Sequence, residues 1–272
     1  MPIYLPGILS KAAPRVSGLT SRMKRGDGSI QTPIAFLVVN FTQAVKNNPA
    51  LLSHNEVETL FHEFGHMLHH TLTMVDYPSV AGTNVAWDFV ELPSQFMENW
   101  AFEWNIVEDI SGNYKTGKQL PKSEFDKLVA VKNYNSAMAM LRQLEFALFD
   151  FRIHIHEGKD EKATVQQIID DVRDYVSVLK PVLYDRFQNS FLHIFTWDYS
   201  AGYYSYKWAE VLSSDAFSKF EEDGIWNEAT GQSFLKTILE QGGSREPMDL
   251  FLEFRGRKPK IDALLRHNQI KG

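Results

Sequence analysis

The residues best suited to chemistry lie in one short stretch, residues 58–70, with the sequence ETLFHEFGHMLHH. Within it, His62, Glu63 and His66 form the pattern His-Glu-x-x-His. In a helix, four residues advance the chain by about 400°, so the two imidazoles lie roughly 40° apart and one turn along. Two nitrogens on one face can share a metal ion, with Glu63 beside them to hold a water molecule. The alternative for this pattern alone is a solvated helix face with two hydrogen-bonded histidines.

A third metal ligand is available from residues 87–100, WDFVELPSQFMENW. Glu91 and Glu98 are seven residues apart, so they share one face of a second helix. Glu91 is the better ligand candidate because it opens this helix, and two histidines with one glutamate leave the fourth zinc position open, as hydrolysis requires. Glu98 is two turns deeper and is suited to accept a hydrogen bond from the outer nitrogen of a ligand histidine. The alternative for both glutamates is an ordinary surface carboxylate.

The segments that must position these groups are mainly helical by their pattern. Apolar residues at i, i+3 and i+4 spacing predict helices over residues 53–73, 91–107, 121–154, 163–179, 203–222, 230–241 and 247–255. Residues 31–41, QTPIAFLVVNF, are β-branched and aromatic and predict a strand. Three prolines near the N-terminus predict an irregular lead over residues 1–21. We therefore predict a mainly α protein with a small β element near its start and one domain over residues 22–272.

Composition excludes several other classes of protein. The 272 residues include 28 Lys and Arg against 34 Asp and Glu, and a net charge of −6 gives no electrostatic reason to bind nucleic acid. With no cysteine, the chain has no disulfide and no thiolate metal site. Its apolar runs are too short to span a bilayer, which predicts no membrane partner. Its start lacks a basic region before a sustained apolar stretch, so we expect no secretory signal peptide and a cytoplasmic location.

Several long motifs resemble the catalytic half of the oligopeptidase A and thimet oligopeptidase family of zinc peptidases. They are FHEFGHMLHH, WDFVELPSQFMENW, LRQLEFALFDFRIH, AGYYSYKWAEVLSSDAFS and GGSREPMDLFLEFRGRKP. The bacterial oligopeptidase A branch is the more similar, and the resemblance runs from about Arg22 to the C-terminus. It implies a helical zincin fold and hydrolysis of short peptides at internal bonds. It also implies one Zn²⁺ ion held by His62, His66 and Glu91, with Glu63 as the general base.

A tyrosine-rich segment, residues 193–208, has the sequence HIFTWDYSAGYYSYKW. From composition alone, aromatic packing is the favoured interpretation. A protonated tyrosine near a metal can also donate a hydrogen bond to a developing oxyanion, and the resemblance implies this kind of role for Tyr199 and Tyr206. It further implies that His193 binds substrate. Residues 197–198 are Trp-Asp where the family usually has Gly-Gly, which replaces a flexible element with a bulky ring and a charge.

Other polar residues near these motifs are expected to have structural roles. His69 follows the His-Glu-x-x-His pattern and is predicted to be a partly exposed helix residue. Arg142, Gln143 and Glu145 lie among apolar residues and are predicted to form a buried polar network.

The length of the chain bears on its function, because family chains are much longer and their N-terminal part forms the opposite wall of a deep channel. We predict a zinc-dependent endopeptidase that acts on peptides through a more open cleft. The alternative is a weak or inactive remnant that binds peptides or a protein partner. A complete set of His62, Glu63, His66 and Glu91 favours the enzyme, since a binding module has no need of the base. Apolar surface left uncovered predicts self-association.

Overall fold

The computed structural model of the chain describes residues 14–46, 49–155, 164–196 and 199–270. Helices account for most of these residues, which confirms the predicted mainly α class. The α-helices are α1 (His54–Thr71), α2 (Trp87–Val90), α3 (Leu92–Glu98), α4 (Trp104–Ile110), α5 (Lys122–Lys132), α6 (Ser136–His154), α7 (Val165–Val176), α8 (Leu192–Phe195), α9 (Ser205–Asp223), α10 (Glu228–Phe234), α11 (Pro247–Arg255) and α12 (Asp262–His267). None of the helices in these ranges is both long and apolar enough to cross a lipid bilayer.

The β element near the N-terminus is made of short antiparallel pairs. β1 (Arg15–Thr20) pairs with β4 (Ile34–Val38), and β2 (Met23–Lys24) pairs with β3 (Ile30–Gln31). The single strand predicted over residues 31–41 is therefore divided between β3 and β4, at a proline that has no N–H to donate.

The predicted irregular lead differs from the structure over its second part. Arg15–Thr20 form β1, because β4 supplies a pairing partner that is distant in sequence. The first 13 residues of that lead lie outside the described residues.

Two of the long predicted helices are interrupted. Residues 91–107 fold as α3, a 3₁₀ turn over Asn99–Phe102, and α4. Residues 121–154 fold as α5 and α6, with a break at Asn135, whose φ of 59° lies in the left-handed region that asparagine tolerates. Further short segments are 3₁₀ helices over Pro78–Val80 and Phe187–Ser190 and a π-helix over Leu235–Leu239, which ends the helix predicted over residues 230–241. The predicted start of α1 is close to the observed one.

Two apolar clusters hold these elements together. The first joins α3 to α9, α10 and α11 and is mostly aromatic, with Phe96 stacked on Phe234 at 4.2 Å between ring centroids. The second joins α6, α7 and α8 to the tyrosine segment and contains Phe149, Phe191 and Tyr203. The first cluster fixes α3 beneath α1, and the second supports the tyrosine segment.

Candidate metal centre and active site

The helix that carries His-Glu-x-x-His begins at a well-formed N-terminal cap. The Ser53 hydroxyl accepts a hydrogen bond from the backbone N–H of Glu56, and the Glu56 carboxylate accepts one from the backbone N–H of Ser53 at 2.7 Å. This capping box satisfies N–H groups that a helix start leaves free. From that start, α1 brings the rings of His62 and His66 to 4.9 Å between centroids, on one side of the helix as the spacing predicts.

A glycine inside the motif allows α3 to approach α1 very closely. A Cβ at Gly65 would overlap the carbonyl oxygen of Pro93 and lie 2.6 Å from Cα of Ser94. Only a residue without a side chain fits such a contact. The close approach places Glu91, the residue that precedes α3, beside the two histidines.

His62, His66 and Glu91 form a group of potential metal ligands. One ligand atom from each residue lies within 4.8 Å of the other two. Oε2 of Glu91 is 3.1 Å from Nε2 of His66 and 3.4 Å from Nε2 of His62. Two imidazole nitrogens and a carboxylate oxygen are ligands that zinc accepts in hydrolytic sites. The donor atoms present therefore fit a zinc ion.

The charges around this group favour a bound cation. Burial alone would raise the pKa of Glu91, but hydrogen bonding to His66 and the positive charge of the protonated histidines lower that pKa to about 2. Burial would lower the pKa of His62, but the hydrogen bond and charge of Glu98, with the charges of Glu91 and Glu63, raise it to about 9. The raised pKa of His62 favours a proton on this imidazole beside the carboxylates, and a metal ion would take the place of that proton.

Glu98 occupies the place expected of a residue that orients a ligand. Nδ1 of His62 is 2.6 Å from Oε1 of Glu98, at the last residue of α3. When a metal ion takes the place of the proton on Nε2, the proton that remains on Nδ1 is held by Glu98, and the lone pair of Nε2 is free to bind the metal. Such a contact fixes both the tautomer and the orientation of the imidazole.

Glu91 has further partners that the sequence did not indicate. Ser94 donates from Oγ to Oε2 of Glu91 at 2.8 Å, and Tyr199 donates from its hydroxyl to Oε1 at 2.9 Å. Glu91 is only 4% exposed, so these bonds hold a buried carboxylate in one orientation. The Ser94 contact follows from a spacing of three residues, whereas the Tyr199 contact comes from a segment more than 100 residues away.

Glu63 is close to this group but faces the cavity. It is 5% exposed, and its Oε2 has no hydrogen-bond partner among the described residues. Burial raises its pKa, although the charges of His62 and His66 and a hydrogen bond from the backbone of Val16 oppose the rise. The cavity has a volume of about 630 Å³ and is lined by Glu63, His62, His66 and Glu91, among others. A buried carboxylate oxygen without a partner is a suitable place for a water molecule.

The tyrosine loop, residues 199–206, closes the other side of the cavity. The rings of Tyr199 and Tyr206 are stacked at 4.8 Å, and both residues line the cavity. Burial and the charge of Glu91 raise the pKa of each hydroxyl above its ordinary value, so both remain proton donors. His193 lies against these rings, 6.0 Å from Tyr206 between centroids, and burial lowers its pKa. Residues 197–198, the predicted departure from the family, lie outside the described residues.

The strand β1 is a part of the site that the sequence interpretation missed. Arg15, Val16 and Gly18 line the cavity, although this stretch was predicted as an irregular lead. A Cβ at Gly18 would lie 2.7 Å from Cε1 of His70, and Nε2 of His70 is 2.9 Å from the carbonyl oxygen of Thr20. β1 is thus fixed against the end of α1.

The remaining polar predictions have mixed outcomes. His69 is fully buried rather than partly exposed, and burial lowers its pKa to about 3, so it is neutral in the packed contact between α1 and its neighbours. The predicted buried polar network is confirmed only at Glu145, which is buried and accepts hydrogen bonds from Arg142 and Arg173; Arg142 itself is exposed, and Gln143 instead accepts a hydrogen bond from the Tyr203 hydroxyl at 2.8 Å.

The family of the chain follows from comparison with known sequences. A sequence model described as Peptidase family M3 matches residues 11–270. The chain belongs to peptidase family M3. The resemblance to its oligopeptidases is therefore confirmed, and the match starts ahead of Arg22, so β1 belongs to the family's sequence as well.

Several M3 relatives are similar over most of this chain. Oligopeptidase A of Escherichia coli (strain K12) is 54% identical over 252 residues, which are 92% of this chain and 37% of that protein. Probable cytosolic oligopeptidase A of Arabidopsis thaliana is 45% identical over 251 residues, 90% of this chain and 36% of that protein. Saccharolysin of Saccharomyces cerevisiae is 36% identical over 252 residues, 92% of this chain and 35% of that protein. The chain thus spans little more than a third of the length of these M3 relatives.

Proposed function

We propose that this chain is a zinc-dependent endopeptidase that hydrolyses internal bonds of peptides. The observation that carries the proposal is the convergence of His62, His66 and Glu91 beside the unpartnered Oε2 of Glu63. Membership of peptidase family M3 and the oligopeptidase names of similar proteins support it.

The residues that would hold the metal are His62, His66 and Glu91, with Glu98 orienting His62. All three residues line the cavity, so a zinc ion held by them would be within reach of water and substrate there. When bound, a zinc ion would act as a Lewis acid that polarises the scissile carbonyl and lowers the pKa of the attacking water.

Glu63 is proposed as the general base. Its carboxylate would take a proton from the water that attacks the carbonyl carbon, and would later give that proton to the amine that leaves. Burial raises its pKa, which favours a group that must hold a proton between the two steps.

Tyr206 and Tyr199 are proposed as hydrogen-bond donors to the developing oxyanion. Tyr206 is the stronger candidate, because the Tyr199 hydroxyl already donates to Glu91 at 2.9 Å. His193, whose ring meets the rings of Tyr199 and Tyr206 edge-on, is proposed to contact the substrate. Donors that are already in place need no rearrangement as charge develops.

The proposed substrates are peptides, and nucleic acids and membranes are not proposed as partners. A cytoplasmic location is proposed on the printed name of one relative, probable cytosolic oligopeptidase A of Arabidopsis thaliana.

A protease assay with and without a chelator tests this function. Internally quenched peptides and casein serve as short and long substrates, and zinc is added back after chelation. We expect peptide cleavage that the chelator abolishes and zinc restores. Bound zinc without any turnover would favour the alternative, a remnant that binds peptides or a protein partner.

A further inference from the structure

A buried aspartate in α6, Asp150, binds the tyrosine loop and is not among the residues that line the cavity. Asp150 is 1% exposed, and the proposed reaction does not use it. Its Oδ1 accepts a hydrogen bond from the backbone N–H of Ala201, and its Oδ2 accepts one from the backbone N–H of Tyr203, both at 2.9 Å. Both oxygens of one carboxylate are therefore bound to a single turn, which lies between Tyr199 and Tyr206.

The turn at residues 201–203 needs hydrogen-bond acceptors from outside the loop, and Asp150 provides them. Ala201 has a φ of 55°, in the left-handed region that is unfavourable for a residue with a side chain. Within the turn, Gly202 donates to the carbonyl oxygen of Tyr199 at 2.8 Å and Ser205 donates to that of Gly202 at 3.0 Å. The N–H groups of Ala201 and Tyr203 are bound by Asp150 instead, and buried backbone donors need such partners.

Asp150 is itself held firmly. It lies in the last part of a 19-residue helix, next to Phe149, which is fully buried in the second apolar cluster. One turn later, Nδ1 of His154 lies 3.0 Å from Oδ1 of Asp150. On its other side, the ring of Phe151 stacks on the ring of Tyr204 at 5.0 Å. The Asp150 carboxylate is therefore held in one position by a well-packed helix.

Both ends of the tyrosine loop make hydrogen bonds with residues in or next to the metal centre. At one end, the Tyr199 hydroxyl donates to Glu91 at 2.9 Å. At the other end, the carbonyl oxygen of Tyr206 accepts a hydrogen bond from Gln95 of α3 at 3.1 Å. Because the turn held by Asp150 separates the two tyrosines, a shift of this turn would move both hydroxyls relative to the metal ligands.

We propose that Asp150 is a positioning residue for the catalytic tyrosines: by binding the N–H groups of Ala201 and Tyr203, it holds the Tyr199 and Tyr206 hydroxyls at the metal centre. The catalytic part of this inference rests on the proposed function. Asp150 touches neither the substrate nor the metal ligands, and it acts through the loop.

The variant Asp150→Asn tests the inference with little change in volume. An asparagine offers one acceptor oxygen, and its NH₂ group cannot accept the second N–H, so one of the two hydrogen bonds is lost. We expect kcat to fall by about 10²-fold, as for a misplaced or missing oxyanion donor, with a much smaller change in KM. At saturating zinc the metal content should be unchanged, and zinc affinity should fall no further than in Tyr199→Phe, because the three ligands stay in place.

Asp215→Asn is the matched control. Asp215 is also 1% exposed and also accepts a backbone hydrogen bond, from Lys260, but its partners belong to the C-terminal part of the chain. Asp215→Asn should lower the melting temperature. It should leave kcat of the folded enzyme within about threefold of the wild type, because the partners of Asp215 lie outside the tyrosine loop.

Amide hydrogen exchange gives a measurement that does not depend on activity. In Asp150→Asn, exchange at Ala201 and Tyr203 should become faster, while exchange in α1 stays as in the wild type. If the wild-type chain shows no peptidase activity, the proposed function fails, but this experiment still decides whether Asp150 holds the loop. Unchanged exchange at the loop would overturn the inference.

A double-mutant comparison separates positioning from general stabilisation. In a chain that already carries Tyr199→Phe and Tyr206→Phe, Asp150→Asn should lower the remaining kcat by less than about threefold, since the hydroxyls that it positions are gone. An equal loss of about 10²-fold in both backgrounds would overturn the inference, as would a normal kcat in Asp150→Asn alone.

Discussion

The two glutamates that adjoin His62 have different roles because their surroundings differ. Glu98 is engaged by Nδ1 of His62 at 2.6 Å, so its charge is used to orient and polarise the imidazole. Glu63 lines the cavity with a carboxylate oxygen that no described residue binds, and burial raises its pKa. One carboxylate is therefore suited to support a metal ligand, and the other to move a proton.

Glu63→Gln should keep its zinc and lose most of its turnover. Glutamine fits the same space but cannot accept a proton from water, and a general base typically contributes about 10²–10⁴-fold to the rate. Metal analysis and the quenched-peptide assay measure the two properties separately. Glu124→Gln, an exposed position on α5, is the control and should behave as the wild type. Comparable turnover in Glu63→Gln would rule out the reaction as proposed.

Glu91→Ala should release the metal. It removes one of three ligands and leaves the Tyr199 hydroxyl without its acceptor, whereas Ser94 keeps the backbone carbonyl of residue 91. Glu98→Gln should have a weaker effect, with zinc affinity reduced by about 10–100-fold, because Glu98 acts through His62. Competition with a chelator measures both affinities. If zinc occupancy of Glu91→Ala equals that of the wild type, the third ligand is misassigned.

Tyr206→Phe should lower kcat far more than it changes KM. Loss of one oxyanion donor typically costs about 10²–10³-fold in rate, or roughly 3–4 kcal/mol, and the fold should tolerate the loss of a hydroxyl. Tyr199→Phe is the comparison, and it should also weaken zinc binding, because Tyr199 donates to Glu91. If Tyr206→Phe raises KM while kcat stays intact, Tyr206 binds substrate and is not the oxyanion donor. No effect on either constant would assign this residue to aromatic packing.

Among the elements, the contact between α1 and α3 matters most for the site. Gly65 on α1 faces the backbone at Pro93 and Ser94 with no room for a side chain. The same contact sets the distance between the two histidines of α1 and Glu91 at the start of α3. Its geometry therefore decides both the stability of the helix pair and the assembly of the metal ligands.

Gly65→Ala should separate the two helices. Overpacking of this kind typically costs about 1–3 kcal/mol, and zinc affinity should fall because Glu91 moves away from His62 and His66. Gly231→Ala is the matched control, since Gly231 lies in α10 with no atom near its would-be Cβ. That change should be neutral or slightly stabilising, by up to about 1 kcal/mol. Thermal unfolding and zinc titration measure both variants, and a wild-type zinc affinity in Gly65→Ala would contradict this account.

The elements show what sequence could and could not predict. α1 was predictable because its cap at Ser53 and the spacing of His62 and His66 are local signals. β1 was missed because β2 and β3 separate it in sequence from its partner β4, and because three prolines precede it. The end of α3 at Glu98 was also missed, since the continuing apolar pattern does not reveal the 3₁₀ turn that follows.

In the candidate site, too, the sequence predicts contacts within a segment but not contacts between distant segments. The metal ligands and Glu63 come from two nearby segments, so spacing within a helix was enough to select them. The contacts of Glu91 with Tyr199, and of Asp150 with the tyrosine loop, join segments 108 and about 50 residues apart. Nothing in local spacing indicates such pairs, because tertiary packing of the second apolar cluster creates them.

At the scale of the whole molecule, the candidate centre lies where the two apolar clusters meet. α3 rests on the first cluster and provides Glu91, while the tyrosine loop rests on the second and provides Tyr199. The hydrogen bond between Tyr199 and Glu91 therefore joins, at the metal centre, the elements that rest on the first cluster to those that rest on the second. We infer that metal binding and the packing of α3 against the tyrosine loop stabilise each other, as expected when a ligand binds the folded state alone.

The surface also carries an apolar patch that predicts self-association. Residues 178–184 follow α7, and Leu179 and Leu183 on this patch are 75% and 97% exposed. Contiguous exposed apolar surface of this kind favours contacts between molecules. Sedimentation velocity should show a larger species as protein concentration rises, and Leu179→Lys with Leu183→Lys should shift it toward the monomer. Ile261→Lys, at an exposed position elsewhere that is 56% accessible, should leave the association unchanged. A wild-type chain that stays monomeric at all concentrations would contradict the prediction, and equal effects of both variants would show that added charge, rather than this patch, controls the association.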